Sequence, residues 1–180
     1  MIDKRQQIIE VATQLFAEHG FEKTPVSTIC EKAKISKGLV FHHFKNKNEL
    51  LREVFIHITQ IIEEADKEDE GVVENELALE TMIHSIFDAM TVPEHHKIYQ
   101  FNFSVMVHPT TRAIVVDLIN ERYKGLQAST EKVFRSLGHS NPVIVTKMFI
   151  AEIDGIAMNY LLNDDFPIKE IRQEFIKKYC

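Results

Sequence analysis

Ser36, Lys37 and Gly38 stand in succession, and two adjacent histidines (His42, His43) and two more lysines (Lys45, Lys47) follow them. These residue types suit phosphate better than they suit catalysis. Ser36 is placed to cap a short helix, whose first-turn amides lack partners and attract anions. Lys37 projects a cation from that turn. Gly38 has no side chain, so another backbone can approach closely. Ile35, Val40 and Phe44 are expected to point inward, which leaves Leu39, Phe41, His42 and His43 facing outward. Lys45 and Lys47 bracket the start of the next helix, a second amide terminus.

The net charge of −6, from 21 Lys/Arg and 27 Asp/Glu, argues against a polyanionic partner when taken whole. Its distribution reverses that reading. Residues 1–52 carry nine Lys/Arg against six Asp/Glu, and residues 53–180 carry twelve against twenty-one. Between 23 and 47 there are six lysines and one acid, Glu31. A local basic patch is what phosphate binding requires.

Other chemistries fit less well. Neighbouring histidines on a helix diverge by about 100°, so His42-His43 and His95-His96 make poor chelating pairs. Glu53/His57 and Glu80/His84 are i, i+4 neighbours, whereas a di-iron bundle uses Glu-x-x-His. There is no nucleophile elbow, no glycine-rich phosphate loop and no acid–base pair that stands out. No metal, cofactor or catalytic activity is expected. Cys30 and Cys180 lack metal-like spacing and imply no disulfide framework. No run reaches the roughly 20 apolar residues of a membrane span, and the N-terminus goes straight into charge, so the expected location is the cytoplasm.

The elements that must hold these residues are all helical: apolar positions recur at three and four, and sustained alternation is absent. Asp3 and Gln6 form a capping box for a first helix with a buried stripe of Ile8, Ala12, Leu15 and Phe16, ended by Gly20. Thr24 caps a second helix with Pro25 at its first position. Ser36 caps a third that ends near Phe44. Asn46 and Glu49 open a long fourth helix over 47–65, followed by an acidic turn at Asp66–Gly71. Further helices are expected over 74–91, 94–108, 111–137, 142–163 and 167–179, about nine in total. The expected domains are 1–46, a three-helix unit, and 47–180, a larger helical bundle, with the fourth helix connecting them.

A short helix pair covered by a third helix, with a basic exposed face, is how a helix-turn-helix DNA reader is built. Ile35–Leu51, ISKGLVFHHFKNKNELL, closely resembles the signature of tetracycline-repressor (TetR) family regulators, and the preceding GFEKTPVSTICEKAKIS resembles the lead-in. The strong resemblance covers about residues 5–55. It is weaker over 151–171, AEIDGIAMNYLLNDDFPIKEI. It implies that Thr24, Ser36, Lys37, Gly38, Phe41, His42, His43 and Lys47 lie at or near DNA; Leu39 and Lys45 join them on their own placement. The chain departs from the family at Phe41, where tyrosine is common, at Lys34, where glycine is frequent, and at Leu39, where a small polar residue is usual.

The resemblance also implies an effector cavity in the C-terminal bundle. Phe87, Met90, Tyr99, Phe103, Met106 and Met148, with Glu152, are its candidate lining, since aromatic and thioether side chains suit adaptable apolar sites. It implies a homodimer through residues 142–179, for which Ile153, Ile156, Ala157, Tyr160, Ile171 and Phe175 are candidates. The expected function is a repressor released from a palindromic operator in double-stranded DNA by an unidentified small molecule. The alternative is an all-α protein–protein interaction module with a basic hairpin. A helical-bundle metalloenzyme is a third reading.

Overall fold

The computed structural model describes residues 3–64 and 76–180. Among them are nine α-helices: α1 (Lys4–His19), α2 (Val26–Ala33), α3 (Lys37–His43), α4 (Lys47–Glu64), α5 (Glu76–Met90), α6 (His96–Val107), α7 (Pro109–Ser136), α8 (Pro142–Leu162) and α9 (Ile168–Tyr179). A 3-10 turn at Pro93–His95 precedes α6. The acidic turn expected at 66–71 lies outside the described residues.

The helix boundaries follow the capping signals, with instructive differences. Asp3 caps α1 by accepting from the Arg5 amide, but Gln6 donates to Glu10 (3.2 Å) instead of completing a capping box. At α2 the cap position is Pro25, and Thr24 lies before it. The Thr24 hydroxyl turns inward and donates to the carbonyls of Gly20 (2.9 Å) and Leu15 (3.3 Å), tying the start of α2 to the end of α1. Lys34 ends α2 in the left-handed region at φ 53°, a conformation that costs a residue with a Cβ. Asn46 caps α4 by accepting from the Glu49 amide (2.9 Å), and the Glu49 carboxylate accepts from the Lys45 amide (2.6 Å).

The chain packs as two compact units, Met1–Ile61 with Lys97–Ile119, and Ile62–His96 with Asn120–Cys180. This division does not coincide with a boundary at residue 46, because most of α4, α6 and the start of α7 belong with the first three helices. In the first unit α1, α2 and α3 pack on one another. Ile8, Ala12, Leu15 and Phe16 of α1 are buried, as are Ile29, Cys30 and Ala33 of α2, Val40 of α3 and the following Phe44. Phe16 meets Phe21 edge-on (5.4 Å) and Phe101 of α6 (5.9 Å). Helices as short as α2 and α3 are marginal alone, so this burial is what holds them. Arg5 pairs with Glu53 of α4 (2.6 Å), and Arg52 forms a two-pronged pair with Asp117 of α7 (both 2.6 Å).

The second unit is built on Leu79, Ile83, Phe87, Phe134, Phe149, Ile150, Phe175 and Tyr179. Its aromatic rings touch in sequence, Phe87 to Phe175 (5.6 Å), Phe175 to Phe149 (5.2 Å) and Phe149 to Tyr179 (4.9 Å). Polar ties join its helices: Asp88 of α5 to Arg172 of α9 (2.6 Å), Tyr123 of α7 to Asp154 of α8 (2.6 Å), and Glu152 of α8 to Lys178 of α9.

Candidate DNA-reading helix and effector-domain residues

The site begins at Ser36, whose extended backbone (φ −76°, ψ 150°) ends the turn and whose hydroxyl accepts from the Leu39 amide at 3.2 Å. That bond fixes the first turn of α3. Val40 and Phe44 are buried and half-buried Ile35 lies beneath the turn, so the opposite side of α3 is presented outward. Ser36, Lys37, Gly38, Phe41 and His42 are exposed, while Leu39 and His43 are half-buried. Lys37 places its ammonium 5.8 Å from the centre of the Phe41 ring, and the two histidine rings meet edge-on at 5.2 Å.

Gly38 is informative because nothing inside the fold requires it. A Cβ there would meet only the Ser36 hydroxyl, at 3.9 Å, an ordinary contact. Glycine inside a helix is destabilising by roughly 0.5–1 kcal/mol relative to alanine. No contact within the protomer offsets this cost.

Two of the expected contacts are placed differently. Thr24 is 1% exposed, and its side chain braces α1 against α2. Its small β-branched side chain fits a buried corner, and its hydroxyl is used by two carbonyls. Lys47 is half-buried, and its ammonium donates to the Phe21 carbonyl (2.5 Å) and the Glu22 carbonyl (3.4 Å). Desolvation lowers its pKa, partly offset by Glu22. Lys45 is exposed and remains an outward cation.

The candidate effector residues are divided between the two units. Tyr99, Phe103 and Met106 lie on α6 in the first, and Phe87, Met90, Met148 and Glu152 in the second. Phe87 belongs to the aromatic core and Met90 is buried. Glu152 is held in an ion pair with Lys178. Met148 is 50% exposed on α8. A shallow groove of about 320 Å³ lies on α9, lined by Glu170, Ile171, Glu174, Phe175 and Lys178, and includes none of these candidates.

The candidate dimer residues are buried or half-buried within their own protomer. Ile153, Ile156 and Ile171 pack against their own core, Phe175 is part of it, Ala157 is buried and Tyr160 is half-buried. The exposed residues of α8 include a stripe of Ile144, Met148, Ala151, Gly155, Met158 and Leu162, spaced by four, three, four, three and four. That is the seam spacing of a helix meeting another helix. The signal was present in the sequence, but α8 is apolar on most sides, so periodicity alone did not say which side faces inward.

Buried polar groups complete the second unit. Asp154 has its pKa raised, first by desolvation, with the Tyr123 hydroxyl and Arg122 opposing it. Tyr123 is raised as well, by burial and then by Asp154. Among the described residues no cluster of three or more His, Cys, Asp or Glu could hold a metal ion, and no helix is long and apolar enough to cross a membrane.

Residues 8–54 match the family model for bacterial regulatory proteins, tetR family. An uncharacterized HTH-type transcriptional regulator, YhgD of Bacillus subtilis, is 28% identical over 109 residues, 58% of this chain and 56% of that protein. The chain thus spans about half the length of this relative. The HTH-type transcriptional regulator TtgR of Pseudomonas putida is 26% identical over 177 residues, 91% of this chain and 82% of that protein. A crystal structure of a TetR-family regulator from Rhodococcus sp. superposes with a TM-score of 0.77 at 15% identity, over 99% of this chain and 97% of that one, which establishes the shared fold.

Proposed function

We propose, on the premise that this chain belongs to the tetR family of bacterial regulatory proteins through residues 8–54, that it is a sequence-specific DNA-binding transcriptional repressor. The observation that carries this reading is α3: a short helix fixed by the Ser36 cap on a buried three-helix base, with Lys37, Gly38, Phe41 and His42 exposed. Its N-terminal turn enters the major groove, where Lys37, Leu39 and His42 meet base edges. Ser36, Lys45 and the amides at the start of α3 and α4 take phosphates. Affinity falls steeply with salt because lysine–phosphate contacts release counterions.

The reader works as a homodimer, and the second copy packs on the exposed α8 stripe. The stripe has seam spacing, and at its middle Ala151 and Gly155 are small. A Cβ at Gly155 would meet nothing within 4 Å, so its own protomer gives no reason for glycine, whereas a closely crossing partner helix does. Two readers about 34–36 Å apart then face an inverted repeat. A small-molecule effector favours a conformer with the wrong reader spacing, and by linkage operator DNA weakens effector binding by the same factor. Such a regulator acts in the cytoplasm.

Selection of bound sequences from a random DNA pool, followed by footprinting, tests the reading. Enrichment of an inverted repeat with half-sites about one helical turn apart is the expected result. Well-folded protein that enriches no sequence would overturn it.

A further inference from the structure

The side of α6 that carries Tyr99, Asn102 and Met106, three and four residues apart, holds a buried amide with almost nothing to bind. Asn102 is 4% exposed. Among the described residues its Nδ2 donates only to the Met106 sulfur, at 3.6 Å, and a thioether is a weak acceptor. Its Oδ1 has no partner among the described residues. An amide carbonyl withdrawn from water without a donor is costly, and such groups in native proteins call for an explanation. A leucine would fill a similar space with no such cost.

We propose that Asn102 is the polar anchor of the effector site, and that its Oδ1 accepts a hydrogen bond from a neutral, mostly apolar molecule carrying a hydroxyl or N–H donor. This rests on the regulator reading above and specifies the ligand class. The neighbouring side chains fit such a ligand: Tyr99, Phe103 and Met106 offer aromatic and thioether surface, with no charge. None of these three side chains carries a charge to pair with an ionic effector. A donor group that pairs with the bare carbonyl removes a penalty already present in the free protein, so the hydrogen bond selects the ligand strongly.

The same helix supplies a route to the reader. Phe101, next to Asn102, lies on another side of α6 and contacts Phe16 of α1 at 5.9 Å. The end of α6 is fixed to the start of α7: the Thr111 hydroxyl donates to the Val105 carbonyl (3.0 Å) and Arg112 to the Met106 carbonyl (3.3 Å). A shift of α6 on ligand binding therefore reaches Phe16, which lies in the core beneath α2 and α3.

Two matched probe pairs test the proposal with the full-length protein: indole with 1-methylindole, and 2-naphthol with 2-methoxynaphthalene. In each pair methylation removes the donor and leaves the apolar body. The chain contains no tryptophan, so indole fluorescence reports the probe alone. The donor-bearing member of at least one pair is expected to bind about tenfold more tightly than its methylated partner. Asn102→Leu should bind both members equally while remaining folded by circular dichroism, and Asn102→Ala provides the same comparison if leucine disturbs folding. Equal affinities in the wild type, no binding by either pair, or a donor preference that persists in both variants would overturn the proposal. The DNA selection reads separately: operator binding without donor preference removes this inference alone, and donor preference without operator binding removes the regulator reading alone.

Discussion

The Lys47 ammonium lies 4.3 Å from the centre of the Phe21 ring and 2.5 Å from the Phe21 carbonyl oxygen, so the first residue of α4 is clamped onto the turn between α1 and α2. The Phe21 carbonyl also accepts from the Thr24 amide (3.3 Å), and the lysine adds a charged donor to it. Lys47 therefore positions the reader as well as adding charge to it. Lys47→Ala is expected to cost about 1–2 kcal/mol, since hydrogen bonds from a charged group and a cation–π contact are lost together. Lys45→Ala should leave the melting temperature unchanged and lower the slope of log affinity against log salt by about one. Thermal unfolding and salt-dependent DNA binding of both variants check this; a Lys47→Ala protein that melts like the wild type would refute the clamp.

Gly38→Ala should change stability and binding in opposite directions. Its Cβ meets only ordinary contact within the protein, so the helix gains roughly 0.5–1 kcal/mol. DNA affinity should drop at least about tenfold, because the added methyl stands where a close approach is needed, a loss of about 1.4 kcal/mol. Unchanged affinity would place Gly38 away from DNA.

On α8, Gly155→Leu and Met158→Glu each enlarge or charge the exposed stripe without touching the core cluster. Both should convert the proposed dimer to monomer in sedimentation at micromolar protein while leaving the helical circular dichroism signal intact. A dimer that survives both changes assembles through another face.

The Arg52–Asp117 pair gives an acid-sensitive term. The Arg52 guanidinium holds the Asp117 carboxyl below its ordinary 3.8, at about 2. A carboxyl lowered in the folded state stabilises above its unfolded pKa, and that contribution disappears as pH falls through the folded value. Asp117→Asn should thus melt below the wild type near neutral pH, with the gap closing between about pH 4 and pH 2. A gap that stays constant over that range excludes the pair as its source.

Asp154 should behave oppositely. Burial raises its pKa, so its contribution is favourable below the unfolded pKa and is lost as pH rises through the folded one. Asp154→Asn keeps an acceptor for the Tyr123 hydroxyl and removes the buried charge. It is expected to raise the melting temperature at neutral pH, by an amount that vanishes below about pH 4. Equal melting temperatures at pH 7 would show that the carboxylate is adequately solvated.

Local chemistry in the sequence determined the helices, their ends and the reader segment. Ser36, Pro142 and the glycines at 20 and 138 mark boundaries through caps, a fixed φ and positive φ, which depend on a few neighbouring residues. The outward set around Lys37 and Gly38 was legible for the same reason, since Val40 and Phe44, four residues apart, mark the buried side of α3. Tertiary structure alone decided the rest. Thr24 caps nothing because the carbonyls of Leu15 and Gly20 reach its hydroxyl first, and Lys47 faces a turn more than twenty residues earlier in the chain. The apolar residues of α8 read alike in the sequence, and only the packing of α7 and α9 sorted Ile153 and Ile156 to the core and Met158 and Leu162 to the surface. Periodicity shows that a helix has a buried side, but which side that is depends on neighbours brought there by the fold.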